Sequence, residues 1–454
     1  MEKLSLKKIA EAIGASCDAD LLIESISTDT RSITKGSLFI AIEGARFDGH
    51  NFVAQAVENG AVAVVCHKKV QCAVPVLYVE NTGTAYLDIA GYYRSLFSIP
   101  LVGITGSVGK TTTKEFIALA LSAKFKTLKT EGNFNNDIGM PKTLLRLDSS
   151  YEAAVIEMGM NHFGEIHNLT LRSKPTMGVI TNIGVSHIEN LGSREGILKA
   201  KLELLDGMAA DAPLLLNGDN DMLATVHLPG RKVYTFGIDC ESADFRAVNI
   251  QIDCGSMAFD ILYAGGKQAV RIPVVGMHNV LNAVCAFAVG VLNGVEAAQV
   301  AQKLSAYVPA GRRQKIVDCG SFTVIEDCYN ASPDSMRAAL GTLAGMKAGK
   351  HIAVLADMLE LGNFSKTLHE QVGEMCAQNH LDTVLCYGEQ AAHYCTKAAQ
   401  GCSDVKHFMH RQDVLEELLK QIEEGSVVLF KGSHGMHLED IINALYERKG
   451  INHE

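Results

Sequence analysis

The chain has 454 residues, more than one hydrophobic core usually serves, so we expect two or three domains. Hydrophobic residues make up 47% and charged residues 20%, which is typical of globular proteins and unlike disordered chains. The formal net charge is −10 and there is no long basic tract, which argues against a nucleic-acid-binding surface but not against an anionic small substrate.

The twelve cysteines, from Cys17 to Cys402, stand singly among apolar residues, and no C-x-x-C pair occurs. This spacing predicts reduced, packed thiols in a cytoplasmic protein and disfavours a disulfide framework or a zinc site. The sequence has no run of about 18 apolar residues and no signal-peptide core. We therefore expect a cytoplasmic protein without a membrane span.

Residues 1–98 have the pattern of a small α/β module. Buried strands are predicted over 38–42 and 61–65, with a helix over 51–59 between them. Polar residues cluster at 28–31 and again at 44–50. These clusters are either a binding site or solvated turns, and the residue types alone leave both interpretations open.

The segment LVGITGSVGKTTTKEF, at 101–116, passes from an apolar strand through glycines into a helix. The strict phosphate-loop pattern needs glycine where Ile104 stands. The segment nevertheless has the residue types that bind phosphate and Mg²⁺ in such loops, namely Gly106, Gly109, Lys110 and Thr111. Glycine N–H groups can surround a phosphate, the lysine can reach outer phosphates, and the threonine hydroxyl can hold Mg²⁺. The segment predicts a nucleotide phosphate site; the alternative is a glycine-rich turn with a surface lysine.

Residues 99–310 alternate strand-like and helix-like segments, as a nucleotide-binding α/β domain does. A predicted strand over 153–156 ends in Glu157. A carboxylate at the end of a strand beside a phosphate loop is a candidate Mg²⁺ ligand. Another strand, over 177–180, leads to His187, although a single histidine is more often structural. Lys199 and Lys201, on the next helix, are typical of a solvated face.

Asparagines mark two further places in this part. The segment TEGNFNNDIGMPKTLL forms either a tight turn or a binding loop. A helix over 277–290 has a core stripe of Val280, Val284 and Phe287, and Asn279 and Asn282 share another face.

Residues 311–454 again alternate, with strands predicted over 322–326, 352–355, 383–387 and 427–430. Ser332, Pro333 and Asp334 form a sound helix start. The outline is that of a dinucleotide-type fold, but no strand is followed by G-x-G-x-x-G, so NAD binding is not predicted.

Taken in order, these motifs resemble those of the Mur ligase family over nearly the whole chain. TGSVGKTTTKE is similar to the family's ATP loop, whose glycine spacing accounts for Ile104. The later motifs follow in the family's order: TEGNFNNDIGMPKTLL, EMGMNHFGEI, TNIGVSHIENLGS, HNVLNA, EDCYNASPDSM, ADMLELG and KGSHGMHLEDI. The YNASPDSM stretch is most similar to the branch that adds D-alanyl-D-alanine to UDP-N-acetylmuramoyl-tripeptide.

The resemblance implies an α/β protein with three domains: 1–98 for the UDP end of the substrate, 99–310 as a central P-loop ATPase domain with a parallel or mixed sheet, and 311–454 as a Rossmann-like ligase domain. It implies that ATP phosphorylates the terminal carboxylate of the tripeptide and that the amine of D-alanyl-D-alanine attacks the acyl phosphate. The product would be UDP-N-acetylmuramoyl-pentapeptide, a peptidoglycan precursor, with ADP and phosphate. The third peptide residue is lysine or diaminopimelate, and the enzyme is expected to be a monomer without nucleic-acid partners.

The resemblance also implies the site residues. Catalysis is assigned to Lys110, Glu157, His187 and Lys201. Thr111 and Glu157 would hold one Mg²⁺ and His187 a second, with a carbamylated Lys201 serving the metal site instead of a solvated face. The residues implied for ATP are Gly106, Ser107, Val108, Gly109, Lys110, Thr111, Thr112, Asn279, Asn282, Arg312 and Asp327. The residues implied for the peptide and UDP-sugar substrate are Thr30, Arg31, Arg46, Phe47, Asn133, Asn135 and Asn136.

Two positions depart from the family pattern: Cys328 stands where serine is more frequent, and His434 where arginine is common. Three other functions compete. A sister ligase would add one amino acid to the dipeptide precursor, but YNASPDSM speaks against it. A folylpolyglutamate synthetase lacks the UDP-binding module, and a regulatory P-loop protein has no need of Glu157, His187 and Lys201 together.

Overall fold

Within the described residues, four β-sheets organise the chain. The structure, a computed structural model, describes residues 1–44, 47–253, 255–309, 311 and 314–451. Arg46 and Arg312, which the sequence analysis assigned to substrate and nucleotide binding, lie outside these residues. Among the helices that are described, none is both long enough and apolar enough to cross a membrane.

The N-terminal part is built on a small parallel sheet. Its elements are β1 (Leu4–Ser5), α1 (Leu6–Ala12), β2 (Leu22–Ile23), β3 (Ser25–Ser27), β4 (Ser37–Ile40), α2 (Val53–Glu58), β5 (Ala61–Cys66), β6 (Val76–Tyr78) and α3 (Thr82–Ser95). Strands β3 to β6 pair in chain order, all parallel, and β1 pairs with β2 antiparallel. The two predicted strands are confirmed. The predicted helix is shorter, because a 3-10 turn over Gly49–Phe52 precedes α2.

The central part contains a nine-stranded sheet. Its strands are β7 (Leu101–Thr105), β8 (Thr127–Lys129), β9 (Ala153–Glu157), β10 (Met177–Ile180), β11 (Leu214–Asn217), β12 (Val233–Gly237), β13 (Phe245–Asp253), β14 (Ser256–Tyr263) and β15 (Gly266–Ile272). The order is β15-β14-β13-β12-β11-β10-β7-β9-β8. The pairs from β13 to β8 are parallel, whereas β14 and β15 add an antiparallel edge that the sequence analysis did not predict.

Helices cover both faces of this sheet. They are α4 (Lys110–Leu121), α5 (Gly139–Leu144), α6 (Glu165–Ser173), α7 (Ile188–Leu191), α8 (Arg194–Leu202), α9 (Asp221–Ala224), α10 (Met277–Leu292) and α11 (Ala297–Leu304). Successive residues of β7 enter different cores: Leu101 belongs to one, Val102 and Ile104 to the other. This alternation is what a strand buried on both faces requires. The predicted core stripe of α10 is fully buried.

The C-terminal part is a six-stranded Rossmann-like sheet, as predicted. Its elements are β16 (Lys315–Asp318), β17 (Phe322–Asp327), α12 (Pro333–Gly345), β18 (Lys350–Ala356), α13 (Ser365–Gln378), β19 (Thr383–Tyr387), α14 (Ala392–Ala398), β20 (Asp404–Phe408), α15 (Arg411–Gln421), β21 (Ser426–Lys431) and α16 (Leu438–Lys449). The order is β16-β17-β21-β18-β19-β20, with an antiparallel pair between β16 and β17 and parallel pairs elsewhere. Ser332 caps α12 as predicted, and Pro333 is its first residue.

Candidate active site

A cavity of about 570 Å³ lies where the central and C-terminal sheets face each other. It is lined by the loop after β7, the asparagine loop before α5, the ends of β9 and β17, and helix α10. Among the residues assigned from the sequence, it brings together Ser107, Val108, Gly109, Lys110, Thr111, Thr112, Asn133, Asn135, Asn136, Glu157, His187, Asn279, Asn282 and Asp327. The cavity therefore brings together residues that are far apart in the chain.

The predicted phosphate loop follows β7. Gly106 and Gly109 have φ angles of 154° and 82°, and a Cβ on Gly106 would lie 1.9 Å from Thr181 Oγ1. Helix α4 begins at Lys110, so its N-terminal dipole points at the loop. Lys110 Nζ donates to the Gly106 carbonyl at 2.7 Å, which holds its cation across the loop. Ile104 is buried inside β7, so the loop proper begins after Thr105 and needs no glycine at 104.

The loop after β10 is hydrogen-bonded to the phosphate loop. Thr181 Oγ1 donates to the Val108 carbonyl at 2.7 Å, and Asn182 Oδ1 accepts from the Val108 N–H at 2.8 Å. The Gly184 N–H donates to Ser107 Oγ at 2.9 Å. The sequence analysis did not assign Thr181 or Asn182. The available signal was their position directly after a strand that pairs with β7.

Glu157, the last residue of β9, is buried and fully hydrogen-bonded. Its Oε2 accepts from Thr111 Oγ1 at 2.8 Å, and its Oε1 accepts from Asn135 Nδ2 at 2.9 Å. Its backbone N–H donates to Thr130 Oγ1 at 3.0 Å. One carboxylate thus joins the phosphate-loop helix to the asparagine loop.

The Thr111 hydroxyl and the Glu157 carboxylate are hard oxygen donors, which suit Mg²⁺. Across the described residues, no three His, Cys, Asp or Glu side chains converge as a metal-binding group. Mg²⁺ usually takes one or two protein ligands and completes its shell with water and phosphate oxygens. The donor set therefore fits Mg²⁺ bound together with a nucleotide.

Lys201 contradicts the expectation of a solvated face. Its side chain is buried on α8, whereas Lys199 is exposed. Burial holds the pKa of the Lys201 amine well below its usual range, and the positive charge of Lys110 lowers it further. Helical periodicity alone could not show this, because the burial comes from tertiary packing around the helix end.

His187 contacts the C-terminal domain. It has φ 62° at the start of α7, and its Nδ1 lies 2.7 Å from Glu360 Oε2. The nearby His187 ring lowers the pKa of the Glu360 carboxyl. Glu360, in the loop after β18, also lines the cavity and was not assigned from the sequence. Its place in the ADMLELG motif after a strand was the only signal.

Helix α10 and the ends of β17 and β21 supply amides and a buried ion pair to the cavity wall. Asn279 and Asn282 are nearly buried on α10, and Asn282 Oδ1 accepts from Thr113 Oγ1 at 2.9 Å. Asp327 Oδ2 accepts from Lys431 Nζ at 2.7 Å, and Lys431 is only 1% exposed. Lys431 was missed, although it ends β21, the strand that pairs with β17.

The two departures from the family pattern differ in their surroundings. Cys328 is buried beside Asp327. The His434 side chain is 69% exposed, and its ring stacks on the ring of Tyr329 with centroids 5.8 Å apart. Tyr329 lines the cavity, so His434 lies behind a wall residue.

Of the residues assigned to the UDP-sugar, the described ones, Thr30, Arg31 and Phe47, lie apart from this cavity, on the N-terminal sheet. Thr30 and Arg31 form a 3-10 turn after β3, where Asp29 Oδ2 accepts from Arg31 Nη2 at 2.7 Å. Phe47 follows β4 and is 55% exposed. The structure does not bring these residues into the cavity with the phosphate loop.

Three family models match successive parts of the chain. They are described as "Mur ligase family, catalytic domain" over residues 22–93, "Mur ligase middle domain" over 104–290 and "Mur ligase, glutamate ligase domain" over 311–434. These ranges contain the N-terminal parallel sheet, the phosphate loop and the Rossmann-like sheet.

Full-length relatives are named UDP-N-acetylmuramoyl-tripeptide–D-alanyl-D-alanine ligase. The protein from Bacillus subtilis (strain 168) is 37% identical over 98% of this chain and 99% of its own. The protein from Escherichia coli (strain K12) is 36% identical over 94% and 95%.

Solved structures have the same fold over nearly the whole length. A crystal structure of MurF from Acinetobacter baumannii has a TM-score of 0.93 at 31% identity, over 98% of this chain and 99% of that one. MurF ligase from Thermotoga maritima in complex with ADP has a TM-score of 0.86 at 26% identity, over 94% and 98%. The matched domains, the site and the full-length similarity agree, and the chain belongs to the Mur ligase family.

Proposed function

We propose that the chain is an ATP-dependent ligase that joins D-alanyl-D-alanine to UDP-N-acetylmuramoyl-tripeptide, forming a peptidoglycan precursor. The observation that carries this proposal is that the phosphate loop and Glu157 share one cavity with Asp327 and Lys431. Such a cavity brings a nucleotide to a second substrate. The choice of substrates is supported by the names of the relatives that are 37% and 36% identical over nearly the whole chain.

In this proposal the residues 106–112 bind the phosphates of ATP, and Lys110 exchanges its bond to the Gly106 carbonyl for the outer phosphates. Asn279 and Asn282 approach the adenine, while Asp327 and, outside the described residues, Arg312 contact the ribose and phosphate. Thr111 and Glu157 hold one Mg²⁺, and His187 with a carbamylated Lys201 serves a second. When bound, the two ions neutralise phosphate charge as it develops in phosphoryl transfer.

Amide formation then follows in two steps. An oxygen of the tripeptide carboxylate attacks the γ-phosphorus of ATP, and ADP leaves. The amine of D-alanyl-D-alanine attacks the carbonyl carbon of the acyl phosphate, loses a proton and expels phosphate, which keeps one oxygen of the former carboxylate. The chain's contribution is to position the reactants and to supply the charge of Lys110.

The carbamate proposal for Lys201 is supported by its surroundings. An amine bonds CO₂ only when it is neutral, and burial beside Lys110 favours the neutral form. The resulting carbamate is an anion that Lys110 and a metal ion would stabilise.

We further propose domain bounds of 1–98, 99–310 and 311–454, since each range contains its own main sheet. The first domain binds the UDP end through Thr30, Arg31, Arg46 and Phe47, and Asn133, Asn135 and Asn136 lie along the path of the peptide. We also propose that the working unit is a monomer. The use of ATP and the free thiols support a cytoplasmic reaction.

Phosphate release from ATP tests the function. The protein is incubated with UDP-N-acetylmuramoyl-tripeptide and D-alanyl-D-alanine, and separately with the dipeptide precursor and single amino acids. Release that requires the first pair, with the pentapeptide detected by its mass, is the expected result. Release only with a single amino acid would make the chain a sister ligase, and release with neither pair would exclude both ligase activities.

A further inference from the structure

Lys114 is a buried lysine that the proposed reaction does not use. It lies one turn after Lys110 on α4, and its side chain is fully buried. It lies behind the cavity and is not one of the residues that line it. A buried ammonium group is costly unless nearby oxygen atoms compensate its charge, so the partners of Lys114 indicate what it does.

The Lys114 ammonium group contacts a carbonyl and two carboxylates. Its Nζ donates to the Thr130 carbonyl at 2.6 Å and lies 3.1 Å from Glu115 Oε1. It also lies 3.9 Å from Glu157 Oε2, the oxygen that accepts from Thr111 Oγ1. A buried cation therefore lies beside the carboxylate that is proposed to hold Mg²⁺.

A second lysine is paired with the outer carboxylate of this cluster. Lys129, the last residue of β8, contacts Glu115 Oε2 through its Nζ. The Lys129 side chain is 43% exposed, whereas that of Lys114 is fully buried. Glu115 thus keeps a cationic partner when Lys114 is replaced, and solvent screens the charge of Lys129 more than that of Lys114.

A cation beside a metal-binding carboxylate reduces the affinity of that carboxylate for a divalent ion. Charges in a buried site are little screened, so the repulsion between the Lys114 ammonium group and a metal ion on Glu157 is strong. Thr111 supplies a neutral donor that does not offset this repulsion. A nucleotide changes the balance, because its phosphates bring several negative charges and further oxygen ligands for the metal ion.

We propose that Lys114 prevents Thr111 and Glu157 from holding a divalent cation before the nucleotide arrives, so that the metal ion and the nucleotide are bound together. The inference rests on the proposed function, which takes this pair as a Mg²⁺ site. Lys110 does not have the same role, because its cation moves to the outer phosphates in the proposed reaction. Lys114 is held by Thr130 behind the carboxylate, so its charge acts on the site with or without a nucleotide.

Two substitutions remove the charge of Lys114 in different ways. Lys114→Met removes both the charge and the donor to the Thr130 carbonyl, whereas Lys114→Gln removes the charge and keeps an N–H donor. Lys129→Met is the matched control, because it removes one positive charge paired with the same Glu115 carboxylate. Mn²⁺ serves as the probe, since the resonance signal of the free ion is lost when the ion binds. Each full-length chain is titrated with Mn²⁺ by electron paramagnetic resonance, without nucleotide and with ADP.

Without nucleotide, the wild type should bind Mn²⁺ only weakly, and with ADP it should bind the ion tightly. Both Lys114 variants should bind Mn²⁺ at least about tenfold more tightly than the wild type in the absence of nucleotide. Lys129→Met should change this affinity by less than about twofold, because solvent screens its charge. The gain should be lost in Lys114→Gln/Glu157→Gln, which assigns the added binding to Glu157. If Lys114→Met does not fold, Lys114→Gln carries the comparison.

The wild type alone can overturn the inference, by binding Mn²⁺ as tightly without ADP as with it. No gain in the Lys114 variants, or an equal gain in Lys129→Met, would overturn it as well. A gain in Lys114→Met alone would assign the effect to the lost Thr130 contact and not to the charge. A wild type that binds no Mn²⁺ even with ADP would overturn the proposed metal site itself, so the two failures are distinguishable.

Discussion

Thr111 and Glu157 are joined by a hydrogen bond of 2.8 Å from the threonine hydroxyl to Oε2 of the carboxylate. Thr111 lies in the first turn of the phosphate-loop helix α4, and Glu157 ends the neighbouring strand β9. The parallel pairing of β7 with β9 brings these two ends together. The fold thus sets two hard oxygen donors where the outer phosphates of a nucleotide would lie.

Glu157→Gln tests the metal role of this pair. The amide keeps the size of the side chain but loses the negative charge that attracts Mg²⁺. Ligase activity should fall about 100-fold or more, with partial recovery at high Mg²⁺ concentration. Glu447→Gln, on the exposed part of α16, serves as control. Activity of Glu157→Gln that matches the control at every Mg²⁺ concentration would remove Glu157 from the metal site.

Lys110→Ala tests the phosphate loop itself. The variant loses the cation that crosses the loop, so ATP turnover should fall about 1,000-fold. The fold should persist, because neither the glycine conformations nor the hydrogen bonds from Thr181 and Asn182 to the loop involve the Lys110 side chain. Circular dichroism and steady-state turnover measure the two effects. Undiminished turnover would contradict the assignment of the loop.

Lys201 should make activity depend on CO₂. A buried, neutral amine forms a carbamate reversibly, so removal of dissolved CO₂ and bicarbonate should lower activity, and their return should restore it. Lys201→Ala should be inactive and insensitive to CO₂. With ¹³C-labelled bicarbonate, a carbamate resonance should be present in the wild type and absent in the variant. A wild type without that resonance and without CO₂ dependence would refute the carbamate.

Gly184 tests the contact between the central and C-terminal domains. A Cβ at this position would lie 2.1 Å from Asp334 Oδ2, in the first turn of α12. Gly184→Ala should therefore force the Asp334 carboxylate aside and lower kcat about tenfold, while the Kd of ATP changes little.

A double-mutant cycle separates this clash from other effects of Gly184→Ala. Removing the carboxylate in Gly184→Ala/Asp334→Ala should recover part of the loss, whereas Asp334→Ala alone shows the cost of losing that side chain. Additive effects of the two substitutions would show that the positions are not coupled.

The sequence predicted those parts of the fold and site that depend on local pattern. Strands β9, β10 and β19 are short apolar runs, and their existence follows from burial on both faces. Glu157 could be assigned because it ends such a run. The antiparallel edge of β14 and β15 was missed because its strands alternate buried and exposed residues within a region that was expected to alternate strands and helices.

The remaining site residues depend on contacts between distant segments. Lys201 has the local pattern of a solvated face, and its burial follows from tertiary packing. Parallel strands align their carboxyl ends at one edge of a sheet, and this brings Asn182, Glu360 and Lys431 to the site. The order of the strands cannot be predicted from the pattern of any one segment.

We propose above that the tripeptide carboxylate is activated as an acyl phosphate before the amide forms. The most direct test labels both oxygens of that carboxylate with ¹⁸O and follows the label by mass spectrometry during reaction with ATP and D-alanyl-D-alanine. We expect one ¹⁸O in each inorganic phosphate released and one in the new amide carbonyl of the pentapeptide. Pentapeptide formed with no ¹⁸O in the phosphate would contradict it.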